Sequence, residues 1–397
     1  MVDTVVLKSG KERSLLRRHP WVYAGGVARV QGNPYVGDTV RVLGADGRFL
    51  GWGAYSPDSA IRVRVWSFDE ADRIDAAWFA TRIRRAVAAR APLAADTDAV
   101  RLVFGEADGL PGLVVDRYGD QLVMQLMAAG VERWRHEIAA ALLAVTGLSD
   151  LHERSDAAAR AREGLPPREG TVVGRAVGDR LPVTEHGVRY LVDVPAGHKT
   201  GFYIDQRDNR REVARRAAGR AVLNCFCYTG GFTLAALAGG ASSALSIDSS
   251  GPALARAAEQ QALNALPPVP CEWREADVFE ALKALLAQGR RFDLIVLDPP
   301  KFAPSAHHVE RAARAYKEIN LKALRLLAPG GLLFTFSCSG AIDVDLFQKI
   351  VAGAVIDAGV DAQLLRRLQA GEDHPMLMTH PEGEYLKGLL LARASAG

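Results

Sequence analysis

The sequence predicts an α/β protein in which a doubly wound, largely parallel sheet follows two smaller modules. Three observations predict it. Beyond about residue 186, short apolar runs alternate regularly with helical repeats, as in a parallel sheet covered on both faces. Residues 1–72 instead read as short alternating strands broken by glycine turns, and residues 73–185 mix hairpin and helix patterns. The expected units are therefore a β-rich module at 1–72, an α+β module at 73–185 and the doubly wound domain at 186–397.

In the first module, WVYAGGVARV, GDTVRVLGADGRFLGWGAYS and AIRVRVWSF alternate apolar and polar positions between Gly, Asp and Pro punctuation. Helical spacing runs from Ile74 to about Arg90, with Pro92 just past its end. Next, VRLVFGEADGLPGLVVDRYGDQLVMQLM suggests a pair of strands about the turn-rich EADGLPG, followed by a helix over VERWRHEIAAALLAVTG and strands near 171–194. In the last unit AVLNCF, SALSIDS, CEWREAD, FDLIVLDPP and GGLLFTFS are strands. FTLAALAGG, ALARAAEQQALNAL, FEALKALLAQG and a long segment after the Pro-Pro pair are the helices between them. DVDLFQKIVAGAVIDAGV adds a helix, and AQLLRRL and EYLKGLLLARA add two more strands. No fixed-period repeat is present.

Composition bounds the function. The 397 residues are 49% hydrophobic and 24% charged, and no run approaches the roughly 18 apolar residues of a membrane span. The first twenty residues lack an apolar core with a small-residue cleavage site, so a cytoplasmic protein without membrane association is expected. Four cysteines (Cys225, Cys227, Cys271, Cys338) offer neither a disulfide framework nor paired CxxC zinc ligands. No metal is expected. Basic residues exceed acidic ones by only 49 − 46 = 3, so their distribution matters more than their sum. They cluster at KSGKERSLLRRHP and RVRVW beside aromatic residues, a pairing of cations with stacking faces found in RNA binders and also on solvated surfaces. Arg17, Arg18 and Trp21 are the candidate RNA contacts.

In an open α/β sheet, ligands bind outside the carboxyl ends of the strands, and here those ends carry chemistry. The double glycine of NCFCYTGGFT (Asn224–Thr233) lets backbone N–H groups approach a ligand at a helix start. It is not GxGxxG, yet Asp248 closes the next strand where an acid grips ribose hydroxyls, so a nucleoside ligand without pyrophosphate fits best. Asp277 is suited either to an adenine edge or to capping the helix FEALKALL. In LDPPKF the Pro-Pro pair fixes the backbone and turns Asp298 toward the cleft as a partner for a base edge. Cys338, between Ser337 and Ser339, ends the next strand. A cysteine there is commonly a small buried packer, but in a doubly wound sheet its strand neighbours that of Asp298, so both side chains converge on one substrate. Lys301 and the helix starting near Asp343 would favour the thiolate.

NCFCYTGGF, LDPPKF and TFSCSG, with GHKTGFYIDQRDNR and ADGLPGLVVDRYGD, resemble the bacterial class I S-adenosylmethionine-dependent methyltransferases that make 5-methylcytosine in 23S ribosomal RNA. The similarity spans nearly the whole chain, with five motifs in order. The resemblance implies a PUA domain, a central EEHEE-type α+β domain and a Rossmann-like methyltransferase domain. It places S-adenosylmethionine against Asn224, Phe226, Thr229, Gly230, Asp248, Asp277 and Asp298, makes Cys338 the nucleophile that adds to cytosine C6, and sets Asp298 on the base edge. Lys301 and Phe302 adjoin the substrate. Other RNA cytosine-C5 methyltransferases carry a second cysteine directly after the Asp-Pro motif, but Lys301 takes that place here, so one catalytic cysteine is expected. The partner implied is 23S rRNA. Neither monomer nor homodimer is decided.

Two other readings compete. Exocyclic-amine methyltransferases also use an Asp-Pro-Pro strand end, but they follow it with an aromatic residue that stacks on the base, where this chain has Lys301, with Phe302 one later. That reading also leaves Cys338 without a role. A non-catalytic RNA-binding ribosome-assembly factor would not need the cofactor loop, the acid and the thiol together.

Overall fold

The computed structural model describes residues 2–303 and 305–395. The chain forms two compact units. One holds the chain up to Val183 together with Val192–Ile204 and Glu372–Gly383, and the other holds Thr184–Leu191, Asp205–Gly371 and the chain from Glu384 onward.

The first unit begins with β1 (Thr4–Leu7), the short α1 (Arg13–Leu16), β2 (Trp21–Tyr23), β3 (Val27–Gln31), β4 (Thr39–Leu43), β5 (Phe49–Tyr55) and β6 (Ile61–Ser67). They form a six-stranded sheet in the order β2-β6-β5-β4-β1-β3. The period-2 pattern predicted from sequence turns Val40, Val42, Val63 and Val65 to one face, where all are buried with Val5 and Leu7.

A second sheet follows α2 (Ala76–Arg90), whose N-cap Asp75 accepts a hydrogen bond from the Trp78 amide at 3.0 Å. Its strands β7 (Ala99–Phe104), β8 (Leu113–Tyr118) and β9 (Gln121–Leu126) form a meander. The helices α3 (Ala129–Arg133) and α4 (Arg135–Thr146) come next, then β10 (Asp150–Arg154), α5 (Ala157–Ala161) and β11 (Glu169–Val173). The sheet order is β11-β10-β9-β8-β7.

Sequence reading differs here in three ways. The single expected helix is divided at Trp134, the expected strand pair gains β9 as a third strand, and β10 was not foreseen. DLHER carries no alternating apolar signal because its buried positions include acids: Glu153 is buried and paired with Arg135 at 2.6 Å, and Asp150 is held by Arg175. Burial with a charged partner hides a strand from hydrophobic pattern reading.

The hairpin strands β12 (Leu181–Glu185) and β13 (Val188–Val192) lead to the doubly wound domain. Its elements are α6 (Arg207–Arg216), β14 (Ala221–Cys225), α7 (Gly231–Ala238), β15 (Ser243–Asp248), α8 (Gly251–Leu263), β16 (Cys271–Glu275), α9 (Val278–Ala287) and β17 (Phe292–Leu297). They continue through α10 (Val309–Leu326), β18 (Leu327–Ser337), α11 (Val344–Ala358), β19 (Ala362–Gln369) and β20 (Lys387–Arg393). The seven strands run β16-β15-β14-β17-β18-β20-β19, all parallel except β20. Leu294–Leu297 of β17 are wholly buried. Leu294 and Val296 join Phe334 and Phe336 on one face, while Ile295 and Leu297 join Leu223 and Leu333 on the other. A strand covered on both faces needs such a continuous apolar run. The order reverses between β14 and β17, which places the ligand crevice at the carboxyl ends of these central strands.

Candidate active site at the carboxyl ends of the parallel sheet

The loop after β14 is built from a tight backbone. Phe226 (φ +58°), Tyr228 (φ +48°) and Gly230 (φ +79°) all take left-handed conformations, uncommon for the two aromatic residues. Asp248, at the end of β15, braces this loop: its carboxylate accepts hydrogen bonds from the Tyr228 amide at 2.8 Å and the Ser250 amide at 2.9 Å. Gln260 donates to the Thr229 carbonyl at 2.7 Å. Beneath the loop, buried Asn224 donates to the Thr233 hydroxyl at 2.8 Å, which in turn shares a hydrogen bond with Ser246 at 2.7 Å. Asn224 Oδ1 is buried without a hydrogen-bond partner among the described residues. Burial pushes the Cys225 and Cys227 thiols well up, and the half-buried Cys271 thiol up to about 11, so these three are inert as nucleophiles near neutral pH.

Asp277, two residues beyond β16, is exposed and caps α9 by accepting from the Glu280 amide at 3.1 Å. Among the described residues neither it nor Asp248 is ion-paired with a basic side chain.

After β17 the chain passes Asp298, half-buried, whose Oδ2 accepts from Gln206 Nε2 at 3.0 Å. Gln206 is itself buried. Its Oε1 accepts from Asn209 Nδ2 at 2.6 Å, and the same Asn209 nitrogen donates to the Gln369 carbonyl at 3.0 Å. This chain of amides fixes which end of Gln206 faces the acid, so the donor points at the carboxylate. Lys301 is exposed. Phe302 is not displayed for stacking on a base: it is half-buried among Tyr316, Phe279 and Phe226, with ring centroids 4.9, 6.1 and 6.3 Å away.

Cys338 follows β18 directly, and Leu297 pairs with Thr335 in the parallel register, so the thiol and Asp298 end adjacent strands as the sequence predicts. The two serines flanking it fasten the turn. Ser337 Oγ donates to the buried Tyr316 hydroxyl at 3.0 Å, and that hydroxyl shares a second 3.0 Å hydrogen bond with Ser339 Oγ. Ser339 Oγ also accepts from the Ala303 amide at 3.1 Å, tying the turn after Asp298-Pro-Pro to the turn holding Cys338. Lys387, opposite Ser337 on β20, donates to the carbonyls of Ser339 and Ile342. The N-terminus of α11 is capped by the Asp343 carboxylate, which accepts from the Leu346 amide at 2.7 Å, so an acid sits at that helix end.

The fold thus gathers Asn224, Phe226, Thr229, Gly230, Asp248, Asp277, Asp298, Lys301, Phe302 and Cys338 at one edge of the seven-stranded sheet. Arg17, Arg18 and Trp21 belong to the other unit. Both arginines are exposed. Trp21 is half-buried, donates its indole N–H to Glu106 at 2.8 Å and packs against His380 at 4.4 Å. Sequence reasoning did not single out Gln206, Tyr316 or Lys387, and it named Ser339 only as a neighbour of Cys338. Gln206 lies inside the quoted GHKTGFYIDQRDNR motif, which was its one available signal.

A seven-stranded sheet of this order, with a glycine turn and acids at its carboxyl ends, defines a nucleoside-cofactor α/β enzyme. The family described as S-adenosylmethionine-dependent methyltransferase matches residues 173–376, and a PUA-like domain matches residues 5–68. Two solved structures share the fold over 99% of this chain and 100% of theirs at 23% identity. One is a Streptococcus mutans protein assigned as a SAM-dependent methyltransferase, with TM-score 0.84, and the other an assigned methyltransferase complexed with SAH, with TM-score 0.85. The ribosomal RNA large subunit methyltransferase I of Klebsiella pneumoniae (strain 342) is 48% identical over 386 residues, 97% of this chain and 96% of that protein. Its counterpart in Shewanella denitrificans is 48% identical over 393 residues, 98% and 99% of the two chains. The chain belongs to this ribosomal RNA large subunit methyltransferase I family, within the S-adenosylmethionine-dependent methyltransferases. Among the described residues no helix is long and apolar enough to cross a membrane.

Proposed function

We propose that the protein methylates C5 of a cytosine in 23S rRNA, in the cytoplasm, through a covalent adduct between Cys338 and cytosine C6. The observation that carries this reading is the fastening of the two turns after β17 and β18 to each other through Ser339 and the Ala303 amide, an arrangement that would let an acid and a thiol act on one substrate.

The residues fit the cofactor. S-adenosylmethionine carries positive charge and ribose hydroxyls, and the crevice offers the carboxylates of Asp248 and Asp277, neither of them ion-paired among the described residues, beside the backbone of Phe226–Gly230. Asn224 would support that loop from below, and Asp298 would border the cofactor and the base alike. The cofactor supplies an electrophilic methyl group.

Cytosine C5 is a weak nucleophile, and the protein's part is to activate it. The Cys338 thiolate forms a bond to C6, which leaves C5 electron-rich. Asp298, oriented by Gln206, hydrogen-bonds the N3 and N4 edge with a proton held between its carboxyl group and N3, which offsets the charge that develops there and returns to its starting place when the adduct collapses. After methylation the C5 proton is lost to a base or water, the S–C6 bond breaks, and the ring is restored with the thiolate released. The target base must first be unstacked from its RNA, at a cost of about a few kcal/mol. Phe302, packed against Tyr316, gives no stacking platform for the exocyclic-amine alternative. The N-terminal module, taken as residues 1–72, contributes RNA affinity, residues 73–185 form the central domain, and residues 186–397 carry the chemistry.

The deciding experiment incubates wild type and Cys338→Ala with methyl-labelled S-adenosylmethionine and unmodified 23S rRNA, then maps the labelled base. Label on C5 of a cytosine, absent in the variant while cofactor affinity is retained, is the expected result. Label on another atom, or label that survives the substitution, would overturn the thiol mechanism.

A further inference from the structure

Lys387 is a buried cation, 4% exposed, that no carboxylate contacts directly among the described residues. Two of its three N–H groups are used by the Ser339 and Ile342 carbonyls. Carbonyl dipoles partly solvate a buried charge, but buried cations are ordinarily matched by an anion. Acidic groups act on it without direct contact, Glu384 first and then Cys338, the residue immediately before the Ser339 carbonyl that Lys387 holds.

We propose that Lys387 is a positioning residue for Cys338: its buried ammonium locks the Ser339–Ile342 turn behind the thiol and supplies the positive charge that favours the thiolate. The inference rests on the nucleophile role proposed for Cys338.

The other charged groups near the turn do not fill this role equally well. Lys301 is exposed to screening solvent. The α11 terminus presents the Asp343 carboxylate, and Glu384 is a further acid facing Lys387, so both work against a thiolate while helping to keep Lys387 charged. Tyr316, whose hydroxyl burial pushes up in pKa, is a neutral neighbour. Burial lowers the pKa of Lys387 itself, and Glu384, Cys338 and Asp343 oppose that shift while Lys301 adds to it. A thiolate at Cys338 and an ammonium at Lys387 therefore stabilise each other, and the pair is best formed between the thiol and lysine titrations.

The test is the pH dependence of Cys338 alkylation by iodoacetamide in the full-length protein, read by mass spectrometry on the peptide carrying Cys338. Lys387→Met removes charge and hydrogen bonds, Lys387→Gln keeps two N–H donors without the charge, and Lys387→Arg keeps the charge. The expected result is an alkylation midpoint raised by about one pH unit or more in the Met and Gln variants, with about tenfold slower reaction at neutral pH, and a midpoint close to wild type in the Arg variant. The methylation pH profile should move in the same direction. A wild-type midpoint in Lys387→Gln, or a raised midpoint in Lys387→Arg, would overturn the proposal, and either variant decides it if Lys387→Met does not fold. Alkylation needs neither RNA nor cofactor, so failure here is distinct from failure of the nucleophile assignment, which shows as methylation surviving in Cys338→Ala.

Discussion

At the scale of the residue, the two serines beside Cys338 hold its turn to the fold, and on the proposed reading they leave the thiol to the substrate. Tyr316 is the common post to which both are tied. Replacing it with Phe keeps the buried ring and leaves two buried serine hydroxyls short of a partner, a loss of about 1–3 kcal/mol. Tyr316→Phe should therefore lower stability in urea unfolding and reduce kcat severalfold, while the dissociation constant for S-adenosylmethionine stays near wild type. Unchanged kcat together with unchanged stability would remove Tyr316 from the account of the site. Asp298 and Cys338 were legible in the sequence because each directly ends an apolar strand, and strand ends in a doubly wound sheet face the ligand. Tyr316, Gln206 and Lys387 were not. They reach the same place from α10, from the segment before α6 and from β20, and which positions of those elements face the strand ends depends on helix phase and on the antiparallel register of β20 with β18.

At the scale of the element, the turn between β14 and α7 shows what a glycine pair contributes. The sequence reading was that Gly230 and Gly231 admit a ligand to the backbone. The structure adds a second constraint at Gly230: its φ of +79° disfavours any side chain, and a Cβ there would lie 2.5 Å from the Trp273 ring, whose N–H is held by Gln261 at 2.9 Å. Gly230→Ala should destabilise the domain by more than about 1 kcal/mol and weaken cofactor binding about tenfold by displacing the loop, measured by thermal unfolding and calorimetric titration. Cofactor affinity equal to wild type would mean that the loop backbone is not part of the binding surface. Most of the same domain was readable because its central strands are continuous apolar runs, but α6 was not foreseen, since RDNRREVARR is nearly all polar and its buried positions include Arg207, Asn209, Arg210 and Glu212. In the first unit β10 escaped because ion pairs, rather than apolar side chains, occupy its buried positions.

At the scale of the whole molecule, a net charge of +3 is too small to hold a polyanion by itself, so any RNA affinity of the N-terminal module must come from where its charges are placed. Trp21 was expected beside Arg17 and Arg18 as a stacking face, yet its ring lies against His380 and under Arg64, whose guanidinium is 5.4 Å from the ring centroid, and its N–H is taken by Glu106. On the proposed reading, that leaves the two exposed arginines as the candidate phosphate contacts. Phosphate contacts release counterions when they form, so each one lost should reduce the slope of log affinity against log salt by about 0.7 for single-stranded RNA and weaken binding most at low salt. Arg17→Gln combined with Arg18→Gln should therefore give weaker rRNA binding with a slope shallower by about one to one and a half, and an unchanged dissociation constant for S-adenosylmethionine, read by filter binding over a salt series and by calorimetry. Glutamine is chosen because it removes the charge while keeping an unbranched polar side chain, since a β-branched residue would be strained at Arg18, which has a φ of +63°. Weaker binding with an unchanged slope would point to lost shape complementarity in place of lost phosphate contacts. Unchanged binding would move the RNA footprint away from these arginines altogether.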